Sequence, residues 1–272
     1  MQELTLKELQ AISLELLDDL HEFCVKNEIR YSIAYGTLIG ALRHKGFIPW
    51  DDDVDVMMPR PDYEKFCQTF HSKKFKLIYY GNDKTALAGF ARIVDVKNTL
   101  YKTERPWTNQ KSGVWIDIFP IDGVEDDPKV YSRRYQRLGS LCKLIYKFRR
   151  QNHHFSKEDS LLSVLKTIIA PIVSVNGFLP YLLLKKMVRM EQKVDYKNAK
   201  YLGQCSCLDD GPIQFSKDDF SEYVLLEFEG RKFYAIKGYN HHLTQLYGDY
   251  MQLPPVEDRK PKQYWIKFYK YN

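Results

Sequence analysis

The 272 residues carry 41 lysines and arginines against 35 acids, a net charge of +6, and 44% of them are hydrophobic. That suits one large or two small folded units with a real core, and so mild a positive charge makes no case for nucleic acid as a partner. Five scattered cysteines and an N-terminus, MQELTLKELQ, without the apolar stretch of a signal peptide point to a reducing, cytoplasmic setting.

In chain order, Thr5-Leu6-Lys7-Glu8 matches a capping box, and Leu9, Ile12, Leu16, Leu20 and Phe23 form one apolar stripe. Together they predict a packing helix that ends near Asn27. Tyr31 to Ala34 reads as a short strand with Gly36-Thr37 as its tight exit. Thr37 to Arg43 then makes a short helix closed by Gly46, and the unpaired N–H groups at its start form an anion cradle.

The next stretch is the most charged. Asp51, Asp52, Asp53 and Asp55 would oppose one another's ionisation unless a cation or several donors sat among them, and a divalent metal is the simplest answer. In Asp53-Val54-Asp55-Val56 the carboxylates are two apart, so on a strand they share one face while the valines enter the core. Asp51 and Asp52 are either further ligands or groups that orient Arg43 or the turn. A phosphate cradle beside a hard-cation site is the layout that metal-assisted phosphoryl transfer needs.

Pro61 to Phe70 is expected to be a helix, and Lys76–Tyr80 and Phe90–Val96 strands. Asp117 stands alone in the apolar run Val114 to Phe119, where burial is costly unless it is paired or coordinates a metal. Beside Asp53 and Asp55 it would complete a three-carboxylate cluster and could serve as general base; the competing reading is a structural aspartate paired with an arginine. Asp122-Gly123 reads as a turn.

From 127 to 198 the chain turns helical and basic. Lys129 to Arg150 carries Arg133, Arg134, Arg137, Lys143, Lys147, Arg149 and Arg150 with no acid. Leu161 to Leu184 is apolar, but Pro171, Asn176-Gly177 and Pro180 interrupt it, which suits two helices in a core or at a bilayer interface better than a spanning helix. Lys185, Lys186 and Arg189 favour anionic headgroups, so residues 130–190 are expected to touch a membrane peripherally or to form a solvated insert.

Tyr223–Phe228 and Lys232–Ile236 should form a hairpin about Glu229-Gly230, followed by a short helix over His241–Tyr247. The segment Tyr247-Gly248-Asp249-Tyr250-Met251-Gln252-Leu253-Pro254-Pro255 is expected to pack over the sheet, with Asp249 or Arg259 able to line an acceptor side. Three regions follow: a core over 1–126, a helical insert over 127–198, and 199–272 completing the core. Cys205-x-Cys207 with His241-His242 has the ligand count for zinc but scattered spacing, and Walker A, H-E-x-x-H, G-x-S-x-G and EF-hand patterns are absent from the sequence.

The strings GTLIGALRHKGFIPWDDDVDV, WIDIFPID and YGDYM-x-LPP, in this order, resemble the LicD family, the phosphocholine-transferase group that also resembles fukutin and fukutin-related protein. The resemblance implies an α/β (α+β) nucleotidyltransferase-like mixed sheet with flanking helices. Carried over, Gly36-Thr37 binds phosphate, while Asp53, Asp55 and Asp117 are the catalytic and metal-binding acids. It also implies Mg²⁺ or Mn²⁺, a CDP-alcohol donor, typically CDP-choline, and as acceptor a glycan or glycolipid hydroxyl of a bacterial surface glycopolymer, teichoic acid or lipopolysaccharide. On that plan Arg43, His44 or Lys45 stabilises the departing CMP, with Arg92 a further candidate. A trimethylammonium cannot hydrogen-bond and would seek aromatic faces, for which Trp50, Trp107 and Trp115 are nearest. Ribitol or glycerol donors, a metal-dependent glycosyltransferase, a pyrophosphate-releasing nucleotidyltransferase and a non-enzymatic partner-binding member are the alternatives.

Overall fold

The computed structural model describes residues 1–84, 86, 88–103, 113–149, 178–206, 208, 210–261 and 266–271. Helix α1 (Leu6–Lys26) starts as its capping box demands: the Thr5 hydroxyl accepts the Glu8 N–H at 3.3 Å, and the Glu8 carboxylate accepts the Thr5 N–H at 2.8 Å. Leu9, Leu16, Leu17, Leu20 and Cys24 are its buried stripe. Phe23 meets the rings of Phe66 and Phe70 edge-on, so α1 lies beside α3 (Arg60–Thr69).

The main sheet has seven strands among the described residues. Its spine runs β2 (Ser32–Ile33), β3 (Asp55–Pro59), β7 (Trp115–Val124), β5 (Ala91–Val94), β4 (Lys76–Ile78). Strand β8 (Tyr201–Gln204) joins the far half of β7, and β9 (Phe215–Ser216) pairs with β8. Strands β3 and β7 are parallel, and the other pairs are antiparallel. Alternation along the strands makes two faces. Val54, Val56, Met58, Ile116 and Ile118 enter the larger core with α1 and α3, while Met57 and Ile121 join a smaller one with Ala199, Leu202, Phe215, Phe220 and Ile236. Asp55 and Asp117 share the parity of Met57 and Ile121, and so lie on the sheet face away from α1 and α3.

The Asp122-Gly123 pair is not a turn. Strand β7 continues through it to Val124, and the wholly buried Asp122 accepts two hydrogen bonds from Arg60 at 2.6 and 2.7 Å. Arg60 also reaches Glu191 at 3.2 Å. Asp-Gly signals a turn only while its carboxylate has no better partner, and here the first residue of α3 supplies one.

The basic segment forms α4 (Pro128–Arg149), packed on α5 (Phe178–Glu191), with Tyr131, Leu138, Leu184 and Met187 in the main core. Residues 150–177, with the expected breaks at Pro171 and Asn176-Gly177, lie outside the described residues. Pro180 does not interrupt a helix: it stands in the first turn of α5, where an N–H has no intrahelical acceptor to lose. No helix among the described residues is long and apolar enough to cross a membrane.

Strands β10 (Tyr223–Phe228) and β11 (Arg231–Ile236) form the expected hairpin, with Glu229 (φ 50°) and Gly230 (φ 72°) both left-handed, as a type I′ turn requires. A third sheet, of β1 (Gln2–Glu3), β12 (Ile266–Lys270) and β6 (Thr99–Thr103), has no counterpart in the sequence reading. The architecture is a mixed α/β fold.

Candidate active site

Helix α2 (Tyr35–Arg43) begins two residues earlier than the sequence suggests, so Gly36 and Thr37 are its first turn rather than a strand exit. Tyr35 holds φ 46°, a left-handed conformation that costs a non-glycine residue of order 1 kcal/mol and recurs at functional sites. The buried Thr37 hydroxyl accepts the Asp55 N–H at 2.9 Å, and the Asp55 carbonyl accepts the Ala34 N–H at 2.9 Å. The start of α2 is thereby locked to the start of β3. At Gly36 a Cβ would lie 2.5 Å from Asp51 Oδ2, so the backbone there approaches a carboxylate that any side chain would displace.

Asp55 and Asp117 are register partners on the parallel strands, and the Asp117 N–H bonds the Val54 carbonyl at 3.0 Å. Arg92 is the register partner of Asp117 on its other side. Asp55, Asp117 and Arg92 therefore form one row across three neighbouring strands. Asp117 is only 8% exposed; its Oδ1 accepts Arg92 Nε at 2.6 Å and its Oδ2 the Trp115 indole at 3.4 Å. Asp53 precedes β3, and its carboxylate gathers with those of Asp51 and Asp52, one oxygen from each within 4.8 Å of the others. The acids thus occur as a row, Asp55 with Asp117, and a trio, Asp51 to Asp53, joined through the short extended link at Val54.

The basic residues separate. Arg43, the last residue of α2, donates to His44 Nε2 at 2.9 Å and to the carbonyls of Tyr250 and Gln252 at 3.1 and 3.2 Å. Burial lowers its pKa and nearby Arg259 lowers it further, while Asp51 opposes them. His44 caps the helix, and burial followed by Arg43 holds its pKa below the ordinary value. Lys45 is exposed with φ 59°, its carbonyl accepting the Glu229 N–H. Gly46 does not supply the left-handed closing residue; that is Lys45.

A cavity of about 530 Å³ opens beside the trio, walled by Gly36, Arg43, Trp50 and Asp51 on one side and by Asp249, Tyr250 and their neighbours on the other. The segment after α6 (Tyr239–Tyr247) therefore folds over α2 rather than over the sheet. Arg259 lies over the Trp50 ring, 5.7 Å from its centroid. Trp115 is buried against Tyr101 and Phe268, with the Arg92 guanidinium 4.5 Å from its ring centroid. Trp107 and Cys207 lie outside the described residues. Sequence reasoning missed the carbonyls of Tyr250 and Gln252 as partners of Arg43, because a backbone acceptor leaves no mark on residue type.

Residues 28–161 match the LicD/FKTN/FKRP nucleotidyltransferase domain. Over 96% of this chain and 97% of the other, the sequence is 36% identical to the lipopolysaccharide cholinephosphotransferase LicD of Haemophilus influenzae. The chain belongs to the LicD family. This LicD-family chain also matches uncharacterised proteins of Rickettsia typhi, 43% identical over 28% of this chain and 24% of that one, and of Rickettsia prowazekii, 50% identical over 20% of each. The domain match spans the α2 turn, the acid trio, the Asp55–Asp117 row and Arg92, while the Haemophilus match extends to the segment that closes the cavity.

Proposed function

We propose that this LicD-family enzyme transfers phosphocholine from CDP-choline to a hydroxyl of a lipopolysaccharide-type glycan and releases CMP. The observation that carries this reading is the match, over nearly the whole of both chains, to a lipopolysaccharide cholinephosphotransferase. In the reaction the acceptor oxygen bonds the choline-bearing phosphorus, the bond from that phosphorus to the CMP oxygen breaks, and the hydroxyl proton passes to a base.

Hard oxygen donors grouped as closely as Asp51, Asp52 and Asp53, with Asp55 and Asp117 adjoining, suit Mg²⁺ or Mn²⁺. Asp53, Asp55 and Asp117 would hold the ion, with Asp51 and Asp52 gathered about Asp53. When bound, such an ion neutralises charge on the transferred phosphoryl group and the departing CMP. Asp117 is the group suited to take the acceptor proton, with Arg92 fixing its orientation. The first N–H groups of α2 and the Thr37 hydroxyl would receive phosphate oxygens, and Arg43, clamped to the closing segment, would answer charge on the leaving group. Trp50 on the cavity wall offers an aromatic face to the trimethylammonium.

The test is to incubate purified protein and Mg²⁺ with CDP-choline, CDP-ribitol or CDP-glycerol, with and without glycan acceptors, and to follow CMP and product mass. CDP-choline should give CMP and an acceptor heavier by one phosphocholine. Pyrophosphate as product, or undiminished turnover in Asp55→Asn, would overturn the reading.

A further inference from the structure

We propose that the concavity between the start of α4 and the end of α5 binds the phosphate of an anionic lipid headgroup. It measures about 350 Å³ and is lined by Arg133, Arg134, Arg137 and Lys193, with Glu125 as its one carboxylate. Arg134 is a fixed wall: its Nε bonds Glu125 at 2.9 Å, Nη1 bonds the carbonyls of Met190 and Glu191, and Nη2 that of Gly123. Arg134 thus answers Glu125 Oε2, and Lys193 stands 3.8 Å from Oε1. Four cations around one carboxylate leave three positive charges facing one hollow.

Arg133 and Arg137 stand one helical turn apart, both exposed, so like charges are neighbours. Arg133 spends one N–H on the Lys129 carbonyl, and no ion pair is formed by Arg137 among the described residues. Such a pair of guanidinium forks matches the oxygens of a phosphate.

The helices around the hollow favour a lipid over a free anion. Helix α4 has no acidic residue along its length, and α5 adds Lys185, Lys186 and Arg189. Leu144 on α4 and Leu182 on α5 are 38% and 42% exposed, and apolar side chains beside these cations suit a membrane interface. The hollow adjoins the end of β7, and Val124 is seven residues beyond Asp117, about 23 Å along an extended strand. The headgroup is thus an anchor and not the substrate, and the inference does not depend on which CDP-alcohol is the donor.

Full-length protein should sediment with phosphatidylcholine vesicles containing phosphatidylglycerol and stay in solution with phosphatidylcholine alone. Arg133→Ser with Arg137→Ser should weaken that binding roughly thirtyfold, while Lys7→Ser with Lys73→Ser, which removes the same charge elsewhere, should weaken it far less. Both variants should keep the CMP release rate measured with a water-soluble acceptor, as proof of folding. Equal binding by the arginine variant and the wild type, or equal losses in the two variants, would overturn the proposal. So would protection from heat by inorganic diphosphate that the arginine variant loses, in a protein that ignores anionic vesicles, since the site would then serve a free phosphate.

Discussion

Thr37 shows how one hydroxyl can organise a site. Its oxygen accepts the Asp55 N–H, so Thr37→Val, nearly the same shape, leaves that N–H without an acceptor. The expected loss is about 1–3 kcal/mol in urea unfolding, with slower CMP release because Asp55 is no longer held. Gly36→Ala should leave the helix intact yet slow turnover, since the new methyl would meet Asp51 Oδ2. Asp55→Asn and Asp117→Asn should each lower CMP release by at least about a hundredfold, read under saturating donor. Residue type announced these acids; it did not announce that Asp117 would meet Arg92. That aspartate has the arginine partner that one reading of the sequence expected, and a register position beside Asp55.

Among the elements, those whose signal is local were legible and those built by distant pairing were not. The capping box of α1 and the positive-φ turn of the β10–β11 hairpin involve residues within a few positions of one another. The β1–β12–β6 sheet joins the two ends of the chain, and two residues of β1 hold no periodicity to read. Asp122 failed for the same reason, since its partner Arg60 lies on another element. That cluster binds α3, β7 and α5 together, and removing Arg60 takes away the cation hydrogen-bonded to both buried carboxylates. Arg60→Met should therefore cost about 3–5 kcal/mol at neutral pH, measured by urea unfolding.

The whole molecule should carry this burial into its acid stability through two opposed groups. His242, buried against Phe215 and Phe220, has its pKa pushed by burial from 6.5 to about 3. The unfolded chain takes up that proton below pH 6.5 and the folded one does not, so stability is lost as pH falls, by about 1.4 kcal/mol per unit. Glu191 runs the other way: burial raises it from 4.5 to about 7, so its contribution is full below pH 4.5 and is lost as pH rises through 7. Between 4.5 and 6.5 the two trends offset, and below 4.5 the histidine acts alone. Urea titrations should show a plateau and then a fall, and His242→Leu should abolish the fall attributable to this residue.

Arg92 sets one more property of the molecule. Its guanidinium answers Asp117 from within the fold, so that carboxylate has a resident counter-ion of its own. An ion held as proposed would share Asp117 with a cation already seated, so assembly of the strands should not wait for it. Chelation should accordingly silence the enzyme while shifting its melting temperature by no more than about 2 °C, unlike a zinc finger, whose chain unravels when stripped.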